Sequence, residues 1–127
     1  MSDYNSTNNR VVWVDIPVAD LDRAQKFYAA VLGIKVHRQS FNNVDFCVLD
    51  HQDGNGGCLV IKPEEVSTTG SLIYLNVDGR IKDAVRHVNA NGGSVLEPPH
   101  SIGPHGFRAV IKDSEGNRVA LHARTDA

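Results

Sequence analysis

Residues 10–18, RVVWVDIPV, alternate. Val12, Val14, Ile16 and Val18 share one parity, and Trp13, Asp15 and Pro17 share the other. That pattern predicts a strand with one wholly apolar face. The period then changes. Leu21, Ala24, Phe27, Tyr28, Val31 and Leu32 follow at helical spacing, with Asp20 placed to cap the start and Gly33 to end the helix in a left-handed turn. Three strand-like runs come next, IKVHRQ, VDFCVLD and CLVIK, divided by turn residues. The second half repeats this order. SLIYLNV alternates, Asp78-Gly79 breaks it, Ile81, Ala84, Val85 and Val88 form a helical stripe that stops near Gly92-Gly93, and SVLE, FRAVIKD and NRVALHA follow. The offset between halves is about 60 residues, which predicts a duplicated strand-helix-strand-strand-strand unit. The last strand of each unit starts from a similar turn, DGNGG and then DSEGN.

Each helical stripe must bury itself against a sheet. The better-matched apolar parities are Val12/Val14/Ile16, Leu59/Ile61, Ile73/Leu75/Val77 and Val119/Leu121, so these are predicted to lie beneath the helices. The other parity carries Trp13 and Asp15, Val60 and Lys62, Leu72, Tyr74 and Asn76, and Ala120 and His122. Large apolar groups mixed with a few polar ones suit a ligand cleft or a partner surface.

Composition narrows the class. The chain has 127 residues, enough for one core, with 41% hydrophobic and 22% charged residues, as in a soluble globular domain. A net charge of −2 argues against nucleic acid and anionic membrane as partners. Apolar runs all fall short of the roughly 18 residues that cross a bilayer. Residues 1–9 read as a polar, disordered tail without a secretion signal, so the Asn5 sequon carries no weight. Cys47 and Cys58 read as buried free thiols, and the cytoplasm is the expected compartment.

VDIPVADLDRAQKFYAAVLGIKV near the start and DSEGNRVAL near the end resemble the vicinal oxygen chelate superfamily, over roughly residues 10–123. That superfamily includes glyoxalase I, extradiol dioxygenases, and fosfomycin- and bleomycin-resistance proteins. The resemblance implies an α+β fold of two βαβββ modules, about 10–65 and 70–123 within a single domain 10–127. Their mixed sheets curl around a cavity with the helices outside, and a homodimer often completes the cavity. Metal-dependent members carry a ligand on the first and last strand of each module. The matching positions are Trp13, Val60, Leu72 and Ala120, whose side chains offer no lone pair to a cation. The resemblance is therefore to the metal-free group, with no cofactor.

The cleft-side residues then become a binding surface. Trp13, Val60, Leu72, Tyr74, Asn76, His105 and Ala120 are the expected ligand contacts, and Asp15 and His122 the expected proton-handling pair. Each has a plainer alternative. Asp15 is an edge-strand ion pair, His122 a surface histidine near a chain end, Trp13 and Tyr74 plugs or dimer contacts, Asn76 a local hydrogen-bonding group, and Lys62 a solvated lysine. PPHSIGPHGF, residues 98–107, reads as a loop able to act as a lid, carrying His100 and His105. His37, His51 and His87 read as surface residues. Three functions follow: a metal-independent small-molecule binder or a lyase/isomerase of the glyoxalase type, a metalloenzyme using His105, His122 and Asp15, or a non-enzymatic dimeric interaction module.

Overall fold

The computed structural model describes residues 10–127. The expected tail 1–9 and its sequon lie outside the described residues. The chain runs β1 (Asp15–Val18), α1 (Leu21–Leu32), β2 (Val36–Phe41), β3 (Val44–Leu49), β4 (Cys58–Ile61), β5 (Ile73–Asn76), α2 (Ile81–Ala90), β6 (Ser94–Ser101), β7 (Phe107–Lys112) and β8 (Arg118–Ala123). These strands form two four-stranded mixed sheets, ordered β1-β4-β3-β2 and β5-β8-β7-β6. In each, the first strand lies parallel to the last and the other pairings are antiparallel. The two βαβββ units expected from the repeat are present, and the sheets remain open rather than closing into a barrel.

Local chemistry sets the elements. The Asp20 carboxylate accepts the Arg23 N–H at 3.0 Å to start α1, and Gly33 ends it at φ 66°. Asn42 and Asn43, at φ 52° and 64°, form the two-residue hairpin between β2 and β3, a left-handed pair that asparagine tolerates. One core joins both units. Phe27, Tyr28 and Val31 of α1 and Ile81, Ala84 and Val88 of α2 pack with Ile16, Leu59, Ile111, Val119 and Leu121 from both sheets.

Three expectations need correction. β1 begins at Asp15 rather than near residue 10, and Val12 is 66% exposed instead of lying beneath α1. Among the described residues its partner is β4, which starts at Cys58 after the Gly56-Gly57 turn, so residues before Asp15 find no ladder there to join. Ile61, the last residue of β4, is 49% exposed instead of lying beneath a helix, although it pairs with Val18 of β1. The expected lid at 98–107 is mostly strand. β6 extends to Ser101 through Pro98 and Pro99, leaving only Ile102–Gly106 as a connection, with a single 3-10 turn at Gly103–His105. β6 is an edge strand and its register slips between Glu97 and His100, so the missing proline N–H groups are not needed by the ladder.

The two units are locked together by the turn between β7 and β8. One Asp113 oxygen accepts the backbone N–H groups of Glu115, Gly116 and Asn117, at 2.8 to 2.9 Å. The other accepts the Tyr28 hydroxyl at 2.6 Å and the Asn117 amide at 3.0 Å. Burial, then the Asp113 charge beside it, pushes the Tyr28 phenol well above its usual range. Glu115 reaches across to the start of α1, accepting from the Ala19 and Asp20 N–H groups at 2.9 Å and from Arg23 at 2.7 Å. Burial raises its carboxyl, but hydrogen bonds from Arg23, the Asp20 N–H, Ser114 and the Ala19 N–H outweigh that and hold it at about 2.

Candidate functional site

The faces turned away from the helices differ in chemistry. On the first sheet, Pro17 pairs with Val60, which pairs in turn with Phe46, and all three are half-buried. At the edge of this apolar strip, the Cys58 thiol donates to the Asp15 carboxylate at 3.1 Å. Burial, then that carboxylate, raises the Cys58 thiol pKa. Trp13 stands just before β1, exposed, with the His51 ring edge-on at 5.6 Å. Leu72, just before β5, is half-buried. Lys62 is exposed and lies 3.9 Å from Glu65, which matches its plainer reading.

On the second sheet, Tyr74 pairs with Ala120, Asn76 with His122, and Arg108 with both His122 and His100. Ala120 and Val110 are buried beneath this face. Tyr74, 39% exposed, accepts from Arg108 Nη1 at 2.5 Å, and the guanidinium lies 6.0 Å from the centre of its ring. Arg108 Nε donates to His100 Nε2 at 3.2 Å. Glu97 lies 3.9 Å from Arg108 and 3.8 Å from His100. Asn76 accepts the Asp78 N–H at 2.8 Å, a local turn bond.

His122 is buried, with Nε2 2.7 Å from the His105 carbonyl oxygen. A carbonyl only accepts, so Nε2 carries the proton and donates. Gly106 makes this contact: at φ 100° it brings the connection so close to β8 that a Cβ there would lie 2.5 Å from the Ala123 carbonyl. The His105 side chain itself is exposed, and its backbone supplies the contact.

The structure thus brings Tyr74, Asn76, Ala120 and His122 onto one face and puts Trp13, Asp15 and Val60 with the other sheet. The proposed metal triad of His105, His122 and Asp15 is corrected: no group of three or more His, Cys, Asp or Glu among the described residues is placed to hold an ion. The four positions that the resemblance assigns to a metal hold indole, isopropyl, isobutyl and methyl groups, so their chemistry does not fit one. A separate cleft of about 140 Å³ lies at the seam between sheets, lined by Ile16, Pro17, Ser67, Thr69, Ile73 and Arg118.

Arg108 and Glu97 were missed in the sequence reading. The signal was there for Arg108: FRAVIKD alternates, with Ala109 and Ile111 buried on the helix side and Arg108 and Val110 on the other. Glu97 was obscured by the register shifts on either side of it.

The bleomycin resistance protein-like N-terminal family matches residues 10–48. A glyoxylase-like domain-containing protein from Didymella fabae is 30% identical over 124 residues, covering 92% of this chain and 95% of its own. Among solved structures, a glyoxalase/bleomycin resistance protein from Albidiferax ferrireducens T118 superposes with a TM-score of 0.73 at 19% identity, covering 91% of this chain and 99% of that one. The genomically encoded fosfomycin resistance protein FosX from Listeria monocytogenes superposes at 0.67 with 13% identity, covering 92% and 94%.

Proposed function

The chain belongs to the vicinal oxygen chelate superfamily, among its glyoxalase- and bleomycin-resistance-like proteins, and from that premise we propose a metal-independent binder of a small, partly apolar molecule. One observation carries this reading: Trp13, Val60, Leu72 and Ala120 occupy the family's metal positions with side chains that cannot ligate a cation. The ligand lies against the helix-free sheet faces, with Val60, Leu72 and Trp13 as apolar contacts and Tyr74, Asn76 and His105 at the polar end.

In the catalytic version, Asp15 and His122 handle protons in an isomerase or lyase step. His122 holds its Nε2 proton on the His105 carbonyl, so Nδ1 bears the lone pair of the neutral ring. Asp15 accepts from Cys58, which orients its carboxylate. The two residues lie on different sheets. A homodimer would set the first sheet of one copy against the second sheet of the other. Exposed Phe41 and Val44 at the β2–β3 hairpin favour burial against such a partner. The cytoplasm fits two buried free thiols, and no helix among the described residues is long and apolar enough to cross a membrane.

Elemental analysis of untagged protein tests the metal reading. A stoichiometric divalent ion, lost in His122→Ala, would replace it with a metalloenzyme. Thermal-shift screening of small molecules tests binding, since a ligand of the folded state raises the melting temperature by mass action. Sedimentation equilibrium tests the dimer: a monomer at high micromolar concentration would refute it.

A further inference from the structure

Building on the reading of the open sheet faces as a ligand site, we propose that Arg108 and Tyr74 recognise a carboxylate on an otherwise apolar ligand, with His100 as a positioning residue. Arg108 is held by neutral acceptors rather than by an anion. Its Nη1 donates to the Tyr74 hydroxyl at 2.5 Å and its Nε to His100 Nε2 at 3.2 Å. His100 is in the right tautomer for this. Its Nδ1 lies 2.8 Å from the Pro98 carbonyl, which only accepts, so Nδ1 carries the proton and Nε2 the lone pair. Among the described residues, the carboxylate nearby is Glu97, which stands 3.9 Å away, outside hydrogen-bond range, and is itself half exposed.

The guanidinium is therefore fixed in direction while its charge is only partly compensated. Its side chain is 27% exposed, so the remaining N–H groups can reach a ligand. The Tyr74 oxygen, having accepted from Arg108, still has its own O–H to donate. Two adjacent donors, one of them cationic, complement an oxyanion. The charge count favours a carboxylate. A single guanidinium, with neutral His100 behind it and Glu97 to one side, balances one negative charge and not two. The floor beneath is Ala120 and Val110, so the rest of the ligand rests on carbon.

The test is calorimetric titration of the full chain with matched probes: benzoate, phenylacetate and octanoate, their neutral amides, and phenyl phosphate. At least one acid is expected to bind about tenfold or more tightly than its amide, the scale of a charge-assisted hydrogen bond. Arg108→Met should erase that preference, Arg108→Lys should restore part of it, and Tyr74→Phe should weaken the acid alone. Glu97→Gln should tighten acid binding by removing a competing charge. Unchanged melting temperatures would show that these variants fold.

An acid and amide that bind equally would overturn the carboxylate proposal and leave the apolar site standing. A preference for phenyl phosphate would overturn it in favour of a phosphoryl ligand. If no probe binds, both readings fall. Acid binding that is lost in Arg108→Met but untouched by Val60→Arg would support the Arg108 site while removing the first sheet from it.

Discussion

The two turns that open the last strand of each unit are similar in sequence and do different work. In the second unit, Asp113 gathers five donors and Glu115 clamps the start of α1, so the turn joins the halves of the molecule. In the first unit, the side-chain bonds of the DGNGG turn stay, among the described residues, within that unit. His51 Nδ1 lies 2.9 Å from the Gly54 oxygen, and the Asn55 amide donates to the Val11 carbonyl at 2.8 Å. Asp53, 60 positions before Asp113, is exposed. The same turn chemistry thus supports either a surface loop or a buried joint, and burial decides which.

The sharpest test of this comparison is a pair of alanine substitutions. Asp113→Ala strands Tyr28, Asn117 and three backbone N–H groups in the interior and should cost about 3–5 kcal/mol in urea unfolding. Asp53→Ala should stay within about 0.5 kcal/mol, as surface changes do. Equal losses would mean that the two turns are equivalent after all.

Acid comes next. The Glu115 carboxyl falls from 4.5 to about 2 on folding, so its stabilisation is complete above pH 4.5 and is lost as pH falls through about 2. The whole difference amounts to about 3 kcal/mol. Glu115→Gln should lower stability at neutral pH by up to that amount and flatten the decline across this acid window, measured by denaturation at stepped pH. A wild-type acid limb retained in full by the variant would assign the decline to other groups.

Glycines give a smaller contrast. Gly106→Ala combines a left-handed φ of 100° with a Cβ 2.5 Å from the Ala123 carbonyl, and should cost about 1–3 kcal/mol. It should also shift the His122 imidazole signals in NMR by moving the His105 carbonyl. Gly54→Ala, in the first turn, meets only the His51 carbonyl at 3.4 Å and should cost less than about 1 kcal/mol. Smallest of all, Asn55→Ala should lose about 0.5 kcal/mol, the value of one exposed hydrogen bond. A loss matching that of Glu115→Gln would mean that the Val11 contact secures the first unit as firmly as Glu115 secures the second.

Much of the fold was legible because its signals are local. Asp20 and Gly33 announce the ends of α1, the Ile81/Ala84/Val88 stripe announces α2, and Val119 and Leu121 alternate into the core as read. The site was legible only by parity. Tyr74, Asn76 and His122 share a face, as alternation requires, yet alternation is silent about what each touches. The errors fell where a residue's fate depends on a distant neighbour. Val12 precedes the first ladder pair of β1, and Pro98-Pro99 sit in an edge strand that needs no N–H from them.

The amino-acid order alone therefore determined the duplicated architecture, the helix caps and the want of metal donors at the family positions. Those are properties of residue type and of short-range period, which chain geometry converts directly into structure. Tertiary structure alone decided that Glu115 would meet Arg23, that Asp113 would hold Tyr28, and that Arg108 would stand between Tyr74 and His100. The first two pairs lie more than 80 residues apart, and in the third Tyr74 and Arg108 lie 34 apart. Such contacts depend on the register of strands, the slip in β6 and the docking of α1. None of these is written in the periodicity of any one segment.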